Sequence, residues 1–122
     1  MARFDKYDPV SGGFRAALAA SYTGAVAPVG VGLDANGRVV VGSGVTGIKG
    51  VICIPSDKPA GEVVDVMTHG EIVDLGGAAA DNYTANTTTG AVTGAAASAT
   101  QIYVGHTVEA DRLIVRVNPE VL

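Results

Sequence analysis

The sequence is poor in the residues that usually strengthen a small core. Of its 122 residues, one is cysteine and none is tryptophan, and aromatic side chains make up 5%. A single cysteine excludes an intramolecular disulfide, which fits folding in a reducing cytosol. The apolar fraction is 48% and consists mostly of alanine and valine. We therefore expect one small domain with a thin core, stabilised in part by association between subunits.

Basic residues and long apolar runs are also scarce. Eight Lys and Arg stand against 12 Asp and Glu, for a net charge of −4, and the basic residues are scattered along the chain. That distribution argues against a nucleic-acid partner, which would need a basic patch. No apolar run approaches the ~20 residues that cross a bilayer, and the first residues do not resemble a signal sequence. We expect no membrane partner.

The segment 59–75 carries the clearest strand pattern of the chain. Two runs of mainly β-branched and charged residues, Val63 to Met67 and Ile72 to Leu75, flank a short break at Thr68 to Gly70. This pattern is typical of a β-hairpin. Neither face of the first run is purely apolar by the two-residue period of a strand. The segment therefore predicts a hairpin inside a small closed or layered β structure.

Further strands are predicted on both sides of this segment. The run Ile48 to Ile54 is the most continuously apolar and is predicted to be a central strand. The Asp34 to Gly37 turn is followed by a returning strand. Residues 112–117 alternate, which indicates a strand with one buried face. Because 17 glycines and a low-complexity segment at 76–99 accompany these strands, we predict an all-β fold with long Gly-, Ala- and Thr-rich loops.

Residues 1–24 differ in character from residues 25–122, which we predict to be a single β domain. Charges and the breaks at Pro9 and Gly12 dominate the start of the chain. A short helix is predicted over Phe14 to Ala20, with Phe14 and Leu18 on one side. Two interpretations are open: these apolar residues close one end of the core, or residues 1–24 form an N-terminal arm that becomes ordered on a partner.

No group of side chains predicts catalysis or metal binding. His69 and His106 are the only histidines, and neither lies in a dense spacing of metal ligands. Asp65, Glu71 and Asp74 occupy strand positions that ordinarily carry surface charge, and Cys53 lies in an apolar run that favours an inert thiol. We predict that the protein is not an enzyme and has no catalytic residue, cofactor or metal.

Three stretches together resemble the small capsid decoration (cement) proteins of tailed bacteriophages. The first runs from Tyr7-Asp8-Pro9 to Ala20, the second from Gly50 through Ala60-Gly61-Glu62 to Met67 and on to Ile72, and the third from Tyr103-Val104-Gly105 to Val117. Together they span most of the chain.

This resemblance implies a small β-barrel or β-sandwich domain that forms a homotrimer. It implies a place in the virion, on the outer capsid surface at threefold and quasi-threefold positions, where the trimer clamps neighbouring major capsid subunits after head expansion. The protein would be made in the cytoplasm of the host bacterium. No catalytic residues are known in the family. The resemblance favours the arm interpretation, with Phe14 and Leu18 as apolar anchors and Arg15 as a polar clamp on the capsid.

Two other functions remain open from the residues. One is a β-rich head-fibre or tail module that recognises a ligand on the host surface, for which Tyr83 is the aromatic expected to be exposed in a loop. The other is a small enzyme with active sites between subunits. The enzyme ranks last, because it needs convergent polar residues that the sequence does not suggest.

Overall fold

The protein folds almost entirely into β-strands. The computed structural model describes residues 3–5, 12–75 and 79–117, with residues 3–5 described by their backbone alone. The described elements, in chain order, are β1 (Arg3–Asp5), β2 (Gly13–Ala17), a 3₁₀ turn (Gly24–Val26), β3 (Val29–Leu33), β4 (Val39–Gly44), β5 (Gly50–Ile52), β6 (Val63–Met67), β7 (His69–Val73), β8 (Asn82–Asn86), β9 (Val92–Thr93), β10 (Gln101–Glu109) and β11 (Arg112–Arg116). The predicted all-β class is confirmed.

The strands form two layers. One is a six-stranded sheet of order β1-β7-β11-β10-β8-β9, and the other is a five-stranded sheet of order β2-β6-β5-β3-β4. The second sheet curls until its outer strands meet at a bridge between Leu18 and Val39. There the Ala19 N–H donates to the Val39 carbonyl at 2.9 Å. The five-stranded layer is therefore a small barrel, and the six-stranded sheet packs against one side of it.

Two apolar clusters correspond to this arrangement. The first fills the barrel and consists of Leu18, Tyr22, Val29, Val31, Val39, Ile52, Val64 and Val66. The second lies between barrel and sheet and consists of Ile48, Val51, Cys53, Met67, Ile72, Tyr83, Ala85, Val104, Leu113, Val115 and Val117. Alternate residues of β5 and β6 contribute to opposite clusters, because successive side chains of a strand point to opposite faces. β5 is thus buried between the two clusters, whereas β6 leaves Val63 and Asp65 on the outer wall.

The break at Thr68 is a crossing between layers and not a hairpin turn. β6 pairs with β2 and β5 in the barrel, whereas β7 pairs with β1 and β11 in the six-stranded sheet. The N–H groups of Thr68 and His69 both donate to the Gly12 carbonyl, at 2.7 and 2.9 Å. These bonds fix a corner, so the predicted pairing of the two runs with each other is wrong. The predicted closed or layered setting is confirmed.

The helix predicted over Phe14 to Ala20 is also wrong. Residues 13–17 form β2, which pairs in antiparallel register with β6, with Arg15 opposite Asp65. Phe14 and Ala16 pack against the cluster that fills the barrel, and Leu18 is part of it. This two-residue alternation and the pairing partner outweigh the helix preference of the alanines, because tertiary packing overrides intrinsic propensity.

The low-complexity segment contains more regular structure than predicted. β8 and β9 lie within it and form an antiparallel pair at one end of the six-stranded sheet. Their connecting turn contacts the barrel: the Gly90 carbonyl accepts from the Gly30 N–H at 2.7 Å, and the Thr87 carbonyl accepts from the Ser43 N–H at 2.9 Å. The segment therefore joins the two layers, and residues 76–78 lie outside the described part of it.

Several local predictions are confirmed. β5 is the central strand of the barrel sheet. The side chain of Asp34 accepts from the N–H groups of Asn36 and Arg38 in the predicted turn, at 2.8 and 2.9 Å. The strand that follows is present, but it pairs with β3 in parallel and with register shifts, unlike a simple hairpin. In β11, alternate residues are buried as the pattern predicts.

Candidate functional surfaces

The outer wall of the barrel carries a small mixed patch where β2 lies beside β6. Arg15 Nε donates to Asp65 Oδ1 at 2.8 Å, and both side chains are accessible, at 67% and 38%. Ala17 pairs with Val63, whose exposed fraction is 54%. These four residues are called the β2–β6 patch below. An exposed pair of this kind contributes at most about 1 kcal/mol to folding, so its guanidinium remains available to a partner.

The three residues predicted to touch a capsid divide between the two faces of β2. Arg15 lies on the outer wall, in the β2–β6 patch. Leu18 lies on the inner side with 3% of its surface exposed, and Phe14 is half-buried against the same interior cluster. Their predicted contact with a capsid remains a prediction. In this fold Arg15 is the accessible member of the three, and Phe14 and Leu18 hold β2 on the barrel.

Within the described part of the chain, β2 also presents a backbone edge that no strand pairs with. It pairs with β6 along Gly13–Ala17, and on its other side the described strands meet it only through the Leu18–Val39 bridge that follows the strand. An open edge of this type can accept an additional strand from another chain. The edge and the β2–β6 patch belong to the same strand, so one partner segment can contact both.

The barrel opens into an apolar cleft beyond the point of closure. This cleft has a volume of about 230 Å³, and its walls include the segment 20–22 and the strand residues Val40 and Val41. The Tyr22 hydroxyl donates to the Ile54 carbonyl at 2.7 Å. Burial raises the pKa of Tyr22 above its usual value, and the bond to Ile54 opposes that shift. The hydroxyl is therefore fixed as a donor and serves the structure of the barrel.

Charged residues on the outer face of the six-stranded sheet pair with one another. Arg112 lies 3.5 Å from Glu71 and 3.3 Å from Glu109. The Glu71 side chain retains 15% of its exposure, so this pair is better shielded from water than the Arg15 pair. Glu71 is therefore a charged strand residue, as predicted, and it forms an ion pair with Arg112 on the adjacent strand.

Tyr103 and His106 form a polar contact on the same face of the sheet. The Tyr103 hydroxyl lies 3.2 Å from His106 Nδ1. Residues three apart in a regular strand point to opposite faces. Here the register of β10 against β8 shifts between Tyr103 and Gly105, which inserts one extra residue as a bulge. The two-residue period of a strand therefore does not predict this pair. The only hint in the sequence is Gly105, because a glycine inside a strand can mark a bulge.

An open depression of about 320 Å³ lies beside Tyr103. Its lining residues come from β8 and the residue before it, from β10 and from the loop between β9 and β10: Asp81, Asn82, Thr84, Gly94, Ala95, Ala96, Ala97 and Tyr103. Tyr83, the aromatic residue predicted to be exposed, is instead buried at 7% between the layers. Tyr103 takes its place as the aromatic side chain at a concave surface.

The described residues contain no cluster of three or more His, Cys, Asp or Glu side chains that could hold a metal ion. His69 is exposed at the start of β7, with Nδ1 3.1 Å from the Thr68 hydroxyl. Burial raises the pKa of the Cys53 thiol to about 11, as its apolar run predicts. Across the described ranges, no helix is long and apolar enough to span a membrane.

Comparison with known proteins gives a match in fold. A solved chain from Mycobacterium phage Patience superimposes on this one with a TM-score of 0.88 at 22% sequence identity. The match covers 99% of this chain and 98% of that one, so the two share both layers and their connections. No protein-family model and no curated protein matches the sequence.

Proposed function

We propose that this protein is a structural component of a tailed-phage virion, a decoration protein that binds the outer surface of the expanded capsid as a homotrimer. The observation that carries the proposal is the near-complete structural match to a chain of phage origin. The resemblance of three stretches of the sequence to capsid decoration proteins supports the same role independently. In this role the chain performs no catalysis.

The proposed contact with the major capsid protein uses the outer side of β2. The edge of Gly13–Ala17 that faces away from β6, which no described strand pairs with, offers backbone hydrogen bonds to an extended capsid segment. Arg15 supplies a guanidinium for carbonyl or carboxylate groups beside that segment. Val63 adds apolar area at the end of the same patch. Phe14 and Leu18 act indirectly, because their burial in the barrel keeps the edge in position.

Trimerisation makes weak contacts of this kind sufficient. Three contacts of about 4 kcal/mol each are individually millimolar, but once one is made the other two become intramolecular. A protein with small side chains and modest patches can therefore hold three capsid subunits together firmly. A load that separates these subunits must break all three contacts.

Arg15→Ala tests the proposed contact. We expect the substitution to remove about 1 kcal/mol of binding free energy at each of the three linked contacts. The trimer then loses about 3 kcal/mol, which lowers its affinity for the capsid more than a hundredfold. The measurement is co-sedimentation with expanded, undecorated heads over a protein concentration series. Arg38→Ala is the matched control, because Arg38 is an exposed arginine in the turn between β3 and β4.

The result is decisive if both variants fold and form the same oligomer as the parent chain. Equal head binding by Arg15→Ala and the parent would remove the β2 contact from the proposal. Point variants are preferable to deletion of residues 2–20, because deletion removes Leu18 and one wall of the barrel.

A second function is favoured by the depression beside Tyr103. A head-fibre or tail module that recognises a host surface ligand needs a concave site with an aromatic side chain, and this depression has both features. The two functions are separable, since the depression and the β2–β6 patch lie on different layers.

A further inference from the structure

Hydrogen bonds connect the loop wall of the depression beside Tyr103 to the sheet. The Thr84 hydroxyl, 1% exposed as a residue, donates to the Ala95 carbonyl at 3.0 Å and lies 3.0 Å from Gln101 Oε1. The Ala95 N–H in turn donates to Thr93 Oγ1 at 3.3 Å. These contacts fix the 94–97 loop against the sheet. The cavity wall is therefore present before any ligand arrives, which lowers the ordering cost of binding.

The opposite wall offers polar groups that are not used within the protein. Among the described residues, no hydrogen bond or ion pair engages the Asp81 carboxylate or the Asn82 side-chain amide. The Asp81 backbone is anchored instead, because its N–H donates to the Thr107 hydroxyl at 2.9 Å. A carboxylate provides acceptors only, and an amide provides both donors and an acceptor. Together they match a ligand that has several hydroxyl groups.

Tyr103 adds an aromatic surface to the same cavity. Its ring is half-buried, and its hydroxyl contact with His106 restricts its orientation. An aromatic ring presents a flat apolar face at low conformational cost. The wall of Gly94 and three alanines carries no large side chain, and the atom nearest to a Cβ built on Gly94 is Asp81 Oδ2 at 3.6 Å.

From this combination we infer that the depression binds a neutral saccharide. A sugar ring has an apolar C–H face suited to Tyr103 and a rim of hydroxyls suited to Asp81 and Asn82. The volume of about 320 Å³ accommodates one or two sugar rings. The lining contains a carboxylate and no lysine or arginine, so an acidic sugar or phosphate meets like charge and is disfavoured. This inference does not depend on capsid binding.

The test is a titration of the free, isotope-labelled protein followed by amide NMR shifts. Maltotriose and N,N′,N″-triacetylchitotriose serve as neutral probes and sialyllactose as the acidic probe. At about 10 mM, a ligand with a millimolar Kd approaches saturation. We expect saturable shifts at residues 81–84, 94–97 and 103 with a neutral probe, and smaller shifts with sialyllactose. Absence of saturable shifts with both neutral probes, or shifts confined to other residues, would overturn the inference.

Substitutions at Tyr103 distinguish the contribution of its aromatic ring to binding from general effects on the fold. Tyr103→Leu keeps apolar volume but removes the flat ring, and we expect binding at least about tenfold weaker. Tyr103→Phe keeps the ring and should bind within about threefold of the parent. Asn82→Ala, at an exposed position, should also weaken binding, whereas Asn36→Ala in a distant turn should not. Parent-like binding by both Tyr103→Leu and Asn82→Ala would contradict the assignment, and the spectra themselves report whether each variant is folded.

Discussion

Gly90 shows at the scale of one residue how the two layers are held together. It has a φ of 72°, and a Cβ built on it would lie 2.5 Å from the Gly30 carbonyl oxygen and 2.6 Å from Val29 Cγ2. Gly37 has a similar φ of 76°, but no atom of the described residues lies within 4 Å of its built Cβ. The two positions therefore differ in steric contact while sharing a backbone conformation that favours glycine.

This pair gives a controlled prediction of stability. Gly37→Ala should lower the free energy of unfolding by about 1 kcal/mol, from the left-handed backbone alone. Gly90→Ala should lower the free energy of unfolding by at least about 2 kcal/mol more than Gly37→Ala does, because the added methyl group collides with the backbone of β3. Urea denaturation of both variants measures the difference. Equal losses would mean that the 86–91 turn does not pack on the barrel as described.

Cys53 gives a prediction of pH dependence. Burial raises its pKa from 9.0 to about 11, so the folded state holds the proton more tightly than the unfolded state. The protonated thiol contributes about 2–3 kcal/mol to the free energy of unfolding. This contribution is complete below pH 9 and is lost as the pH rises to about 11. Cys53→Ala should have a lower stability at neutral pH but a shallower decline over this range. Parallel pH profiles for the two proteins would contradict the burial of the thiol.

At the scale of the element, β2 is the segment on which the proposed contact depends. Leu18, which directly follows β2, is buried in the barrel and bridges to Val39. Leu18→Ala should therefore cost about 2–5 kcal/mol. Val63→Ala, on the exposed side of the neighbouring strand, should change stability by less than about 0.5 kcal/mol. Thermal or urea unfolding checks both, and a loss of less than about 1 kcal/mol for Leu18→Ala would show that β2 is separable from the barrel.

The element scale also shows what the sequence could predict. Alternation in 112–117 correctly gave a strand, because the six-stranded sheet has one buried face there. The runs 63–67 and 72–75 correctly indicated two strands, although the second strand begins at His69, inside the predicted break. The pattern could not show that the two strands belong to different layers, since their pairing is set by the corner at Thr68. The alanines of 16–20 and the four-residue spacing of Phe14 and Leu18 predicted a helix, because the pairing of this segment with β6 is not visible in the local sequence. The bulge that brings Tyr103 and His106 together is a register effect, which spacing cannot reveal.

At the scale of the whole molecule, a barrel filled by one apolar cluster packs on a sheet through a second cluster, and both consist mostly of Val, Ile and Leu side chains. This architecture leaves the β2 edge on one layer and the Tyr103 depression on the other. The proposed capsid contact and the proposed saccharide site therefore lie on different layers. We expect the 12.2 kDa chain to form a trimer in solution, which size-exclusion chromatography with light scattering measures directly.

The most direct test of the proposed function is the stoichiometry of binding to purified phage heads. Expanded heads without decoration protein are mixed with increasing amounts of the protein, sedimented, and analysed for bound copies. The proposal predicts saturable binding in multiples of three per site on expanded heads, with much weaker binding to unexpanded heads. A monomeric protein that leaves expanded heads bare at saturating concentration would contradict the proposed function.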